Sequence, residues 1–214
     1  MKLKSLIVGP LEANCYVVWD EKAKEAICID PGGDVEEILT IIEKAGLSLK
    51  YIINTHGHFD HVGANRLLKK TTGAKIAIHK EDAILLEHIL EQGMAFGIQA
   101  ASSPAPDMLL NEKDEIRIGN LTISVIHTPG HTKGGICLLL KDSDNGQKIM
   151  FTGDTIFADS VGRTDLPGGS HKELIDSIKK KILRFEDDMK LFPGHGPQTT
   201  IGREKRFNQF LVDV

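Results

Sequence analysis

The chain opens with three short runs in which apolar and β-branched residues dominate: Lys2 to Val8, Ala13 to Trp19 and Glu25 to Asp30. Gly-Pro and charged turns separate them, so each run predicts a strand. Asp30-Pro31-Gly32-Gly33-Asp34 breaks the pattern, and a helical period follows. Ile38, Leu39, Ile41 and Ile42 mark one face of a segment from Val35 to Ala45, with Asp34 placed to cap it and Gly46 to stop it. Tyr51-Ile52-Ile53-Asn54 predicts a short buried strand, Val62 to Lys70 a helix, and Ala74 to His79 another strand. This alternation implies layered α/β structure.

The regularity stops at Glu81. From 81 to 111 a helical stretch, Ala83 to Glu91, leads into a run rich in Gly, Ser and Pro. It reads as an inserted helix and loop over one face, placed as a lid. Met94, Phe96, Ile98 and Met108 either wall a substrate cleft or pack the insertion onto the body. Strand patterns return at Glu115 to Ile118, Leu121 to His127, Ile136 to Leu140 and Lys148 to Thr152. Lys172 to Lys181 predicts a helix, Met189 to Phe192 a strand and Ile201 to Phe210 a closing helix. With no repeat and no linker, the expectation is one domain over 1–214, its strands and helices arranged in two similar halves.

Composition narrows the function classes. The chain has 214 residues, 41% of them apolar, enough for a large core. Lys plus Arg is 26 against 30 Asp plus Glu, a net charge of −4. That balance gives no general attraction for nucleic acid or an anionic membrane, so a nuclease reading is disfavoured and neither partner is expected. The apolar runs are too short for a transmembrane helix and the N-terminus too short for a secretory signal, so a cytoplasmic location is expected. Cys15, Cys28 and Cys137 are widely spaced in apolar contexts and read as buried, reduced thiols.

The chemistry gathers in four loops. Among nine histidines, three fall within six residues, in His56-Gly57-His58-Phe59-Asp60-His61. Imidazole nitrogen and carboxylate oxygen together suit zinc, iron or manganese. On a loop, His56 and His58 can converge on one ion while Asp60 and His61 turn toward a second. His131, Asp154 and His195 each follow a strand end and are flanked by Gly or Pro. Loops at the ends of packed strands can converge on one edge of a sandwich, where functional sites are usually built.

These stretches resemble the metallo-β-lactamase fold superfamily, and within it the short glyoxalase II-like (hydroxyacylglutathione hydrolase-like) branch. The resemblance runs from Asn14-Cys15-Tyr16 and Ile29-Asp30-Pro31-Gly32-Gly33 through the His56 loop, His127 to Thr132 and Thr152-Gly153-Asp154 to Pro193-Gly194-His195-Gly196. It implies a four-layer αββα sandwich with a binuclear metal site. By its pattern His56, His58 and His131 would hold one ion, and Asp60, His61 and His195 the other. Asp154 would bridge them, and Asp30 would steady the first His loop. The ions implied are two divalent cations, zinc first, with iron or manganese as alternatives. The implied reaction is hydrolysis of a small-molecule thioester by a hydroxide shared between the metals, with Asp60 also orienting the water.

The remaining candidates are weaker. His127 reads as a strand-end residue with a structural hydrogen bond, and His79, His88 and His171 are assigned to no metal. Arg163, in Gly162-Arg163-Thr164-Asp165, either closes a salt-bridged turn or meets a substrate carboxylate. Lys133 either binds an anionic substrate or is a surface lysine. One helix's length of chain follows His195, whereas full-length glyoxalase II enzymes carry a longer glutathione-recognition region there. The thiol of the substrate is therefore open. Two alternatives share the motifs: a persulfide dioxygenase with a single iron on His56, His131 and Asp154, and a lactonase. A β-lactamase role is disfavoured for want of an export signal, and oligomeric state is left open.

Overall fold

The computed structural model describes residues 1–211. Its first half builds a six-stranded sheet in the order β1-β2-β3-β4-β5-β6. These strands are β1 (Lys2–Val8), β2 (Ala13–Trp19), β3 (Glu25–Ile29), β4 (Ser48–Ile53), β5 (Lys75–His79) and β6 (Met108–Leu110). The first three are antiparallel neighbours, and β3 to β6 run parallel. The second half builds a sheet from β7 (Glu115–Ile118), β8 (Leu121–His127), β9 (Ile136–Asp142), β10 (Lys148–Gly153), β13 (Lys190–Pro193) and β14 (Thr199–Thr200). A small hairpin of β11 (Ile156–Phe157) and β12 (Ser160–Val161) stands apart from it.

Three apolar layers hold this together. Ile27, Ile29 and Ile53 of the first sheet pack against Ile123, Leu138 and Phe151 of the second. On the outer face of the first sheet, Val35, Ile38 and Ile42 of α1 (Val35–Lys44) and Leu68 of α3 (Asn65–Thr72) cover Val17, Cys28 and Ile52. On the outer face of the second, Leu174 and Ile175 of α5 (His171–Ser177) and Ile201 of α6 (Ile201–Phe207) cover Cys137, Met150 and Leu191. The layering is therefore helix, sheet, sheet, helix, as expected. No helix among the described residues is long and apolar enough to cross a membrane.

Several elements differ from the sequence expectation, each for a physical reason. Asp34 does not cap α1: it sits at φ 48° with no side-chain cap bond, and its carboxylate accepts the Gly9 N–H at 2.7 Å. That long-range bond ties the β1–β2 turn to the start of the helix. The helix expected over Val62 to Lys70 is two pieces, α2 (Phe59–Val62) and α3, so Asp60 and His61 lie on helical backbone rather than in a loop. The 81–111 segment holds a 3₁₀ stretch (Lys80–His88), α4 (Ile89–Ala95) and then β6, which adds to the sheet edge. β6 is only three residues long, too short to show an alternating pattern. The helix expected to reach Lys181 keeps α geometry only to Ser177 and continues as a π turn over Ile178–Ile182.

The three thiols are free and buried, with Cys15 and Cys28 Sγ atoms 3.5 Å apart across neighbouring strands.

Candidate metal centre

The parallel strand β4 gives way to Asn54 and Thr55, and this exit carries the chain straight to His56 and His58. His58 stands at the N-cap of α2, whose single turn swings Asp60 and His61 to the other side of the same cluster. The second sheet delivers the rest from three strand ends: His131 beyond β8, Asp154 beyond β10 and His195 beyond β13. All seven side chains meet at one edge of the sandwich. Three sets each bring their donor atoms within 4.8 Å of one another: His56, His58 and His131; His56, His61 and Asp154; Asp60, His61 and His195. Asp154 stands between the two outer trios. Its Oδ2 is 3.6 Å from His131 Nε2 and 3.8 Å from His195 Nε2, and its Oδ1 is 3.5 Å from His61 Nε2.

Neighbouring groups decide which ring nitrogens face the cluster. His131 Nδ1–H donates to the Arg163 carbonyl at 2.7 Å, which leaves Nε2 as a lone pair pointing inward. Thr55 gives its hydroxyl proton to Asp30 at 2.7 Å, so its oxygen can accept only from His56 Nδ1–H, 3.1 Å away. His56 Nε2 is then also a lone pair. Asp30 holds both the Thr55 N–H, at 2.7 Å, and His61 Nδ1, at 3.2 Å. Asp30 thereby ties the start of the His56 loop to the His61 ring.

The electrostatics divide the cluster in two. Burial, reinforced by neighbouring rings, pushes His56 well below its ordinary value and His58 to about 4, so these rings are neutral donors at neutral pH. Around His61 burial acts the same way, but the carboxylates of Asp60, Asp154 and Asp30 outweigh it and raise the ring to about 10. Burial would raise Asp60, yet His61 and His195 hold it below the usual carboxylate range. The acidic half of the cluster thus demands a positive charge at its centre.

Two atoms show that this charge is not supplied by the protein alone. Among the described residues, the buried side-chain polar atoms without a hydrogen-bond partner are His56 Nε2 and Asp154 Oδ1. Such a group costs about 1–3 kcal/mol when left unmet. Both face the cluster, and a cation there would take both lone pairs. The donor set, five imidazoles and two carboxylates, fits zinc, iron or manganese.

Contacts between the halves keep the cluster in register. The Asn14 N–H donates to the Gly194 carbonyl at 2.7 Å, and its amide donates to Pro193 and Gly196 carbonyls at 3.0 and 2.8 Å. The Tyr16 hydroxyl donates to the Pro193 carbonyl at 2.6 Å. Strand β2 of the first sheet therefore grips the His195 loop of the second. Sequence reasoning missed Asp82, a buried carboxylate in the 3₁₀ stretch. It accepts Gly57 N–H at 3.1 Å, Thr132 Oγ1–H at 2.7 Å and Gly134 N–H at 2.6 Å. It bolts the His56–His58 loop to the His131 loop.

Gly194 must lack a side chain. A Cβ there would lie 2.1 Å from Asp154 Oδ1 and 2.9 Å from His61 Cε1. Gly194→Ala is expected to displace Asp154 and to cut metal content, measured by elemental analysis, while leaving a folded chain by circular dichroism. Full metal content in that variant would contradict the close approach.

The weaker candidates are sorted by position. His127 Nε2–H donates to the Lys133 carbonyl at 2.8 Å, and its ring stacks on His79 at 4.1 Å between centroids. His79, His88, His127 and His171 lie in none of the three donor sets. A cleft of about 700 Å³ opens over the cluster, and Arg163 lines it, its guanidinium held by Asp165 through two bonds of 2.7 Å. The exposed Lys133 does not line this cleft. It borders a separate hollow with His79, His127 and Glu112. Of the four apolar residues of the insertion, Phe96 lines the cleft; Met94 is exposed and does not, Ile98 packs with Ile89 of α4, and Met108 packs against the inter-sheet core.

Comparison with known proteins places this arrangement. The family model of the metallo-beta-lactamase superfamily matches residues 8–195. The chain is 39% identical, over 99% of its length and 98% of the relative's, to the hydroxyacylglutathione hydrolase GloC of Haemophilus influenzae. It is similar to the crystal structure of the B3 metallo-beta-lactamase BLEG-1 (TM-score 0.88, 35% identity, 98% of this chain and 99% of that one). It is also similar to that of TTHA1623 in a di-iron-bound form (TM-score 0.86, 36% identity, 97% and 100%). The chain belongs to the metallo-beta-lactamase superfamily.

Proposed function

We propose that the chain is a glyoxalase II-like binuclear hydrolase that cleaves a thioester. The observation that carries this reading is the pair of donor trios with Asp154 between them, floored by two unmet lone pairs and open to a cleft. His56, His58 and His131 would hold one divalent ion, Asp60, His61 and His195 the other, and Asp154 both. When bound, the ions would lower the pKa of a water toward about 7 and polarise the scissile carbonyl. The chain's own groups do the rest. Asp60, charged at neutral pH and 12% exposed, faces the cleft and orients the attacking water by accepting its hydrogen. Asp30, Thr55 and the Arg163 carbonyl hold the three rings rigid, so no reorganisation is needed as the carbonyl is attacked. A thiol with a pKa near about 8.5 leaves readily as thiolate, so cleavage of a thioester needs no strong general acid. The name of the Haemophilus relative supports the same class of substrate.

The test is elemental analysis of protein purified without chelator, paired with hydrolysis of S-lactoylglutathione and of a simple acyl thioester. About two ions per chain with turnover of either thioester is the expected result. One iron per chain, no hydrolysis, and oxygen uptake with glutathione persulfide would replace this reading with a dioxygenase.

A further inference from the structure

The walls of the cleft carry information that the cluster does not. Phe59, Leu85 and Phe96 line the cleft, with the Phe59 and Phe96 rings 5.5 Å apart. Phe157, Val161 and Leu166 line it as well. Phe96 is 44% exposed, a large ring held open to water at the mouth of a functional cleft. Such a surface is stabilised only when something apolar covers it.

The polar groups of the walls are already engaged. Gln92 accepts the Phe59 N–H at 3.1 Å and donates to the Gly57 and Leu85 carbonyls at 3.2 and 3.1 Å. Arg163, the one cation lining the cleft among the described residues, is forked onto Asp165 and lies 6.0 Å over the Phe96 ring. The other charged wall residue is Glu91, an acid. Away from the cluster, therefore, the cation of the wall is already neutralised by a carboxylate, the Gln92 amide spends its N–H groups on backbone carbonyls, and the rest of the lining is largely apolar.

Resting on the hydrolase reading, we propose that the cleft selects an apolar acyl group, so that the preferred substrates are thioesters of aliphatic or aryl acids rather than of small hydroxy acids. The chain of such an acyl group would lie between the Phe59–Phe96 pair and Phe157, with its carbonyl over the cluster. A buried methylene contributes about 0.8 kcal/mol, which is roughly a fourfold gain in kcat/KM for each carbon that the walls cover.

The metal-loaded protein would be assayed with N-acetylcysteamine thioesters, whose thiol is uncharged, carrying acetyl, butyryl, hexanoyl and octanoyl groups, alongside S-lactoylglutathione. We expect kcat/KM to rise by about two- to fourfold per methylene up to hexanoyl. Phe96→Asp should flatten that rise, and Phe96→Leu should keep most of it. Turnover with no dependence on chain length overturns the proposal and leaves the hydrolase reading standing. The non-hydrolysable amide analogues, titrated calorimetrically on the same protein, separate the two failures. Chain-length-dependent binding without any turnover would support the apolar cleft and reject the hydrolase reading. Amide binding that ignores chain length would overturn the proposal whether or not thioesters are cleaved.

Discussion

Asp154→Ala should lower thioester hydrolysis by at least about a thousandfold, some 4 kcal/mol of transition-state stabilisation, and should reduce metal content below that of the parent. Asp154 reaches toward both outer donor trios, and among the described residues its carboxylate accepts no hydrogen bond. That second fact shapes the result. Nothing in the protein is left unpaired when the carboxylate goes, so the metal-free variant should melt within about 3 °C of the metal-free parent. Metal analysis, kinetics and melting with and without chelator would check this. A variant that keeps both full metal content and activity within tenfold of the parent would remove Asp154 from the site.

Asp82→Ala should behave in the opposite manner. The carboxylate is buried and pushed up by that burial, but three donors hold it in place. Its removal strands Gly57 N–H, Gly134 N–H and the Thr132 hydroxyl in the interior, at about 1–3 kcal/mol each. A loss of roughly 3 kcal/mol or more is expected even without metal, visible as a lower midpoint in urea. Because the two bolted loops carry His56, His58 and His131, metal affinity should also fall, by about 10- to 100-fold. Asp82→Asn should be intermediate, since its oxygen can still accept while its amide faces a donor. A metal-free Asp82→Ala protein as stable as the parent would show that the loops hold themselves.

The contrast between these two acids marks what the sequence made legible. Asp154 was visible because it follows a strand and sits in Thr152-Gly153-Asp154, and because the contiguous His56 to His61 run announced a site for it to join. Asp82 lies in Lys80-Glu81-Asp82, which reads as a solvated polar run. Only the fold of the 3₁₀ stretch turns it inward, and no local pattern encodes that. The main strands were legible for a similar reason: β2, β3, β8 and β9 are long enough to show their character. β6, β11 and β12 have three residues or fewer and take their pairing from neighbours already in place. Asp34 carried a good capping pattern, but the Gly9 N–H competed for its carboxylate and won. Arg163 could be read from its sequence either as a salt-bridged turn or as a substrate contact, yet it is its backbone carbonyl, invisible in any sequence, that orients His131.

The bond between Asn14, near the start of the chain, and the Pro193–Gly196 loop, near its end, has a consequence for the order of assembly. Contacts so distant in sequence close late, after the local hairpins and the β–α–β turns. During synthesis the first sheet, with His56, His58, Asp60 and His61, leaves the ribosome well before β13 exists. An ion captured then would meet only part of its eventual donor set, and loosely. The full geometry that discriminates one cation from another arises when the last loop docks beneath β2. A metal taken up by this chain would therefore be selected at the end of folding, from whatever the surroundings supply at that moment.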